Sequence, residues 1–255
     1  VQLTNREGEA AAACVAQWTA IAAAVDLLPD DAFVQPTALP GWRITELVAH
    51  LAMGASAPAR WLLDPAPPTA ETDAPTYLLC LGAASADVDA RTRERASTKP
   101  PRVLRAEVRV AVDELAAVIA ATDAARVIAT RLAPMRFDDF LVTRCVEGVV
   151  HGLDLEPVVG PHPGALKITA KALLAALVMK APGHTVEVRV PPIAAVQCVE
   201  GPRHTRGTPS NVVEADPLTW VRLATGRLRW ADAVDDGRVG ASGERSDISD
   251  LLPLL

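Results

Sequence analysis

Cysteine is sparse and scattered in this chain. Cys14, Cys80, Cys145 and Cys198 form no Cys-x-x-Cys pair, which argues against a zinc ribbon or a dense disulfide framework and fits reduced thiols in a cytosolic protein. Positive charge is short as well: a formal net charge of −6 offers no basic surface for nucleic acid or anionic lipid to select. A glycine-rich phosphate loop and a nucleophile elbow are both missing, so phosphoryl transfer and serine hydrolysis find no support; Asn211-Val212-Val213 lacks the Ser or Thr of a glycosylation sequon. The alanine-rich stretch from Glu9 to Leu28 lacks the basic leader of a signal peptide and carries Gln17, Thr19 and Asp26, so it reads as an amphipathic helix. No run is expected to cross a bilayer uninterrupted. These absences predict a cytoplasmic protein with no nucleic-acid partner and no membrane span.

What is present points to a metal. His50 lies within Pro40-Gly41-Trp42-Arg43-Ile44-Thr45-Glu46-Leu47-Val48-Ala49-His50-Leu51, and Glu147 and His151 lie within Arg144-Cys145-Val146-Glu147-Gly148-Val149-Val150-His151-Gly152. At roughly 100° per residue, positions four apart on a helix return to within about 40° of each other, so one divalent ion can touch both Glu147 and His151. Two imidazoles and a carboxylate are the ligand set of several catalytic zinc sites, which keep a further position open for water or substrate. His50, Glu147 and His151 are therefore the candidate ligands.

Half of the 255 residues are apolar, enough for a sizeable core in one or two domains. The first part is helical by pattern, with segments expected at about Thr4 to Leu28, Arg43 to Leu63 with Thr45 as N-cap, Thr76 to Arg95, Val103 to Thr122, and Arg136 or Phe137 to Leu155. Such helices on short loops predict a four-helix bundle, a fold that builds metal sites in its core from facing helices. After Gly160 the texture changes. A helix from about Ala165 to Lys180 precedes alternating Thr185-Val186-Glu187-Val188-Arg189-Val190, a strand, then a second strand from Ile193 to Val199. A short strand near Asn211 to Ala215, a helix from Pro217 to Thr225 started by Asp216, strand residues around Gly237 to Ala241 and a closing helix from Ser246 complete an α+β module. The predicted fold class is thus two-domain, a helical bundle over residues 1–160 and a small α+β domain over 161–255.

The Pro-Gly-Trp-x-x-x-x-Leu-Val-x-His-Leu signature ending at His50-Leu51, together with Arg144-x-x-Glu147-x-x-x-His151-x-x-Asp154, resembles the mycothiol-dependent maleylpyruvate isomerase family within the wider DinB/YfiT-like metalloenzymes. The second half resembles the sterol-carrier-like module of family members through its element order and the Asp-Pro-x-x-Trp pattern at Asp216 to Trp220. The resemblance implies that His50, Glu147 and His151 bind Zn2+ or another divalent metal, that mycothiol is the thiol cosubstrate, and that the other partner is a small electrophile. It further implies a thiolate held by the metal that adds to a cis double bond, permits rotation and is eliminated from the trans product; other members are thought to pass the thiol to different electrophiles.

Each residue also has a plainer reading. His50 taken alone is a half-buried, hydrogen-bonded helix histidine. Arg144 either orients the Glu147 carboxylate or forms an ordinary intrahelical ion pair. Asp154 either accepts from His151 or faces solvent at a helix end where an acidic residue is unfavourable. Trp42 reads as a packing anchor, Cys145 as core, Trp220 and Trp230 as core of the second module, and His162, His184 and His204 as surface histidines. Arg203 and Arg206 are candidate substrate contacts by charge and loop position only. The competing function is a carrier of lipid or a small apolar ligand, with the bundle as scaffold.

Overall fold

The computed structural model describes residues 8–155, 157–201 and 210–255. These described residues divide into two compact units, with the division after residue 165.

In the first unit, α1 (Glu9–Leu27) buries Ala10, Cys14, Trp18, Ile21 and Val25, which recur every three or four positions and so share one face. By length and apolar content α1 could cross a bilayer, contrary to the expectation that no run is long enough; here that face is packed inside the bundle. A 3₁₀ turn over Asp30–Val34 leads to α2 (Ile44–Trp61). Its expected cap at Thr45 is corrected. Arg43 holds the N-cap position, and its backbone N–H donates to the Glu46 carboxylate at 2.8 Å. The Thr45 hydroxyl instead donates to the Phe33 carbonyl at 2.6 Å, tying the helix to the preceding turn.

The single helix expected from Thr76 to Arg95 is two helices, α3 (Ala74–Leu79) and α4 (Ser85–Ser97), parted by a 3₁₀ turn over Leu81–Ala84. Asp73 caps α3 by accepting from Thr76 N–H at 3.0 Å. Next comes α5 (Pro101–Ala121), which buries Leu104, Val108, Ala111, Val112 and Leu115. A hairpin missed in the sequence, β1 (Val127–Ala129) antiparallel to β2 (Pro134–Arg136), then feeds α6 (Phe137–Asp154).

The bundle closes as a square: α1 packs on α5 and α6, and α2 packs on the same two helices. Thirteen of the eighteen residues of α6 are buried, which makes it the central element. Gly148 is what lets α1 approach it, because a Cβ there would lie 3.0 Å from Gln17 Cγ and 3.2 Å from Trp18 Nε1. Two polar groups that this approach buries are satisfied across the interface. Trp18 Nε1–H donates to the Arg144 carbonyl at 3.0 Å and Gln17 Nε2–H to the Gly148 carbonyl at 3.3 Å.

The second unit contains most of α7 (Pro163–Lys180) and a four-stranded sheet ordered β4-β3-β5-β6. Strands β3 (Val186–Val190) and β4 (Ala194–Cys198) form an antiparallel hairpin, β5 (Val212–Ala215) runs parallel to β3, and β6 (Val239–Ser242) is antiparallel to β5. Val186, Val188 and Val190 point to the covered face, the period of two that marked the strand. Asp216 starts α8 (Pro217–Ala224) by accepting from the Leu218 and Thr219 N–H groups at 2.9 and 3.0 Å. Trp220 is core, its Nε1–H on the Ala170 carbonyl at 3.2 Å. A short helix, α9 (Trp230–Asp235), is additional to those expected, and the closing helix expected from Ser246 is only a 3₁₀ turn over Ser249–Leu251.

Candidate metal centre

Helix α2 carries His50 and helix α6 carries Glu147 and His151, and the bundle brings the three to one point. Glu147 Oε1 lies 2.7 Å from His50 Nε2 and 3.8 Å from His151 Nε2, and the two imidazole rings stand nearly edge to face with centroids 4.8 Å apart. A tetrahedral zinc with ligands at 2.0–2.1 Å holds its donor atoms about 3.4 Å from one another, a value between the two separations seen here. The three donor atoms lie within 4.8 Å of one another, so the donor set suits a divalent ion once the side chains adjust by about half an ångström to an ångström. Gly54, one turn beyond His50, leaves the room: a Cβ there would sit 3.3 Å from Glu147 Oε1 and 3.4 Å from Arg144 Nη1.

Neighbouring charges prepare these groups. The Asp154 carboxylate, 1 % exposed, lies 2.9 Å from His151 Nδ1. That partner places the proton on Nδ1 and leaves the Nε2 lone pair toward Glu147. Burial opposes ionisation of Glu147, but the Arg144 guanidinium and the hydrogen bond from His50 outweigh it and hold the carboxyl well below its usual range. For His50 burial dominates over the attraction of Glu147, so the imidazole is held neutral, the form that can donate a lone pair. His50 Nδ1 is buried and has no hydrogen-bond partner among the described residues.

The cluster lines a cavity of about 430 Å³. Its wall includes Trp42, whose ring lies 5.2 Å from that of His50 and whose Nε1–H donates to Asp89 at 2.6 Å. Arg93 fixes that carboxylate through Nε at 2.9 and 3.0 Å. Trp42 is thus part of the site and not only a packing anchor.

Of the residues singled out in the sequence, Arg144 and Asp154 join the cluster, whereas Cys145 is core and fully buried. His162 is in the bundle unit but does not line the cavity, and His184 is in the second unit, 3.0 Å from Gln197. Arg203, His204 and Arg206 lie outside the described residues. Met53, Gly54, Ala57 and Trp61, three, four, seven and eleven positions after His50, line the cavity and were findable by helical period from His50. Asp89 and Arg131 carried no such signal, since only tertiary structure brings them to the site.

The first unit is thus a helical bundle that presents two histidines and a glutamate to one cavity. The family model described as the mycothiol maleylpyruvate isomerase N-terminal domain matches residues 14–156, and the chain belongs to that family. Residues 164–254 match the family described as bacterial SCP ortholog, a sterol-carrier-like module. A comparison with curated proteins finds no match. Among solved structures the chain is similar to a crystal structure of the mycothiol-dependent maleylpyruvate isomerase, with a TM-score of 0.65, 17% identity and coverage of 94% of this chain and 93% of that one. A histidine-to-alanine mutant of that isomerase gives a TM-score of 0.64 at 16% identity, with coverage of 94% and 93%. These two likenesses establish the shared fold.

Proposed function

We propose that the protein is a zinc-dependent enzyme that uses mycothiol to isomerise, or to add a thiol to, a small electrophile in the cytoplasm. The observation that carries the reading is the convergence of His50, Glu147 and His151 in the lining of one cavity in a chain of this family. A divalent ion bound by the three would lower the pKa of a coordinated thiol and hold it as the thiolate nucleophile. The chain's own residues supply the rest. Asp154 sets the His151 tautomer, Arg144 keeps Glu147 ionised, and Trp42 covers His50 from one side.

The test is metal content by elemental mass spectrometry on tag-free protein, native against His151→Ala. Near-stoichiometric zinc that disappears in the variant, with mycothiol-dependent turnover of an electrophile by the native protein alone, is the expected result. No metal in the native protein after zinc addition would overturn the reading. The bacterial SCP match supports a second activity, carriage of an apolar ligand by the C-terminal module. Binding of fatty acyl probes by a protein that never takes up zinc would favour that function instead.

A further inference from the structure

Tyr77 is only 4% exposed, yet its hydroxyl makes no hydrogen bond among the described residues. It lies on α3, and with Leu81 in the turn that follows it lines the same cavity as His50, Glu147 and His151. A buried hydroxyl without a partner gives up its water for nothing, so such groups are rare unless something outside the fold uses them. The Tyr77 oxygen is not among the unpartnered polar atoms that the protein encloses completely. A molecule in the cavity can therefore reach it.

The other donors of the cavity say what this one is for. Apart from the candidate ligands, the uncharged side-chain donors of the lining are Trp42, Trp61, Tyr77 and Ser85. Trp42 donates to Asp89 at 2.6 Å and Ser85 to the Gly82 carbonyl at 2.9 Å, so both are spent. Trp61 is half-buried, its ring edge to face with Phe140 at a centroid distance of 5.3 Å. Tyr77 is thus the buried, uncharged donor still uncommitted. Arg60, Arg131 and Arg144 also line the cavity and suit charged oxygens. A neutral O–H suits a carbonyl oxygen, which accepts hydrogen bonds and carries no full charge until reaction begins.

We infer, building on the thiol-dependent reading above, that Tyr77 is a catalytic residue that donates its O–H to the carbonyl oxygen of an α,β-unsaturated electrophile. When sulfur bonds to the β-carbon, the electron pair of the double bond moves toward that oxygen and makes an enolate. The hydrogen bond from Tyr77 strengthens as the oxygen gains charge, so it stabilises the transition state for addition more than the bound electrophile. After rotation about what is now a single bond, the pair returns, the carbon–sulfur bond breaks and the thiolate leaves. Isomerisation closes with no net proton or electron consumed, and the phenol keeps its hydrogen.

Infrared spectroscopy of bound 4-phenyl-2-butanone, isotopically labelled at the carbonyl carbon, tests this on chelator-stripped protein without mycothiol. The ketone has no activated double bond, so the exposed Cys80 cannot add to it. Its carbonyl stretch is expected below the frequency it has in an apolar solvent. In Tyr77→Phe the stretch should return to that frequency and affinity should fall about two- to tenfold. The melting temperature of Tyr77→Phe should match that of the native protein, since the hydroxyl holds nothing in the fold. With zinc and mycothiol restored, Tyr77→Phe should lower kcat for isomerisation of cis-4-phenyl-3-buten-2-one by about 100-fold and leave KM little changed. A carbonyl shift that survives Tyr77→Phe overturns the inference, and its loss in Trp61→Phe would assign the donor to the indole instead. A ketone that does not bind, a Tyr77→Phe protein that melts markedly lower, or an unchanged kcat overturns it too. A native protein that takes up no zinc and leaves the enone unaltered, with the carbonyl shift intact, would instead count against the thiol-dependent reading.

Discussion

His151 and Asp154 lie three residues apart on α6, and the nearly inaccessible carboxylate of Asp154 meets the imidazole Nδ1 at 2.9 Å. No comparable partner exists for Nδ1 of His50 among the described residues. The two imidazoles are therefore unequal, His151 being oriented by a hydrogen bond and His50 by packing and by the neighbouring Trp42 ring.

Asp154→Asn should weaken zinc binding by about 10- to 100-fold, the usual cost of losing the partner of a ligating histidine, while helical content stays unchanged. Competition against a chelating dye, with circular dichroism as the control, checks it. Unaltered affinity would mean that the hydrogen bond does not orient the ligand.

Gly54→Ala sets helix propensity against site geometry. Alanine gains about 0.8–1 kcal/mol in a helix interior, but its Cβ would press on the Glu147 carboxylate at 3.3 Å and on Arg144 at 3.4 Å. The expected outcome is little change in the melting temperature of the metal-free protein and a clear loss of zinc affinity.

Trp18→Ala removes a fully buried indole and leaves the Arg144 carbonyl without its Trp18 donor. A loss of about 3–5 kcal/mol is expected in chemical denaturation of the bundle. Trp18→Phe should cost less, because most of the volume remains.

Asp216 gives a pH dependence in the second unit. Burial opposes its ionisation, but the hydrogen bonds from Thr219 and Leu218 prevail, so its folded pKa is below the ordinary value of 3.8. A depressed carboxyl contributes stability that is present above 3.8 and lost as pH falls through the folded pKa. Asp216→Ala should cost about 1 kcal/mol at neutral pH and progressively less below the unfolded pKa. Asp216→Asn should keep much of the cap and remove that pH dependence. Urea titrations at neutral and acid pH distinguish these outcomes.

The parts legible in the sequence were those with a short-range code. The period of α1 and α5, the alternation of β3, the Asp216 cap and the four-residue spacing of Glu147 and His151 all lie within a few residues. What escaped depends on distant contacts or weak local preference. Leu81-Gly82-Ala83-Ala84 reads as a continuation of a helix, yet the chain forms a 3₁₀ turn there. The three-residue strands β1 and β2 are too short to show an alternation, and they are defined by pairing with each other. Trp42 became part of the site only once α4 supplied Asp89, 47 residues away.

Two of the proposed metal ligands come from α6 and the third from α2, helices far apart in the chain. A single turn of slip between them, about 5.4 Å, would carry His50 out of reach of the other two. Occupancy by an ion is therefore a gauge of interhelical register. A chain whose α6 has formed but whose α2 has not docked offers only the Glu147 and His151 pair, so tight uptake of the ion should mark the moment when the bundle closes during refolding.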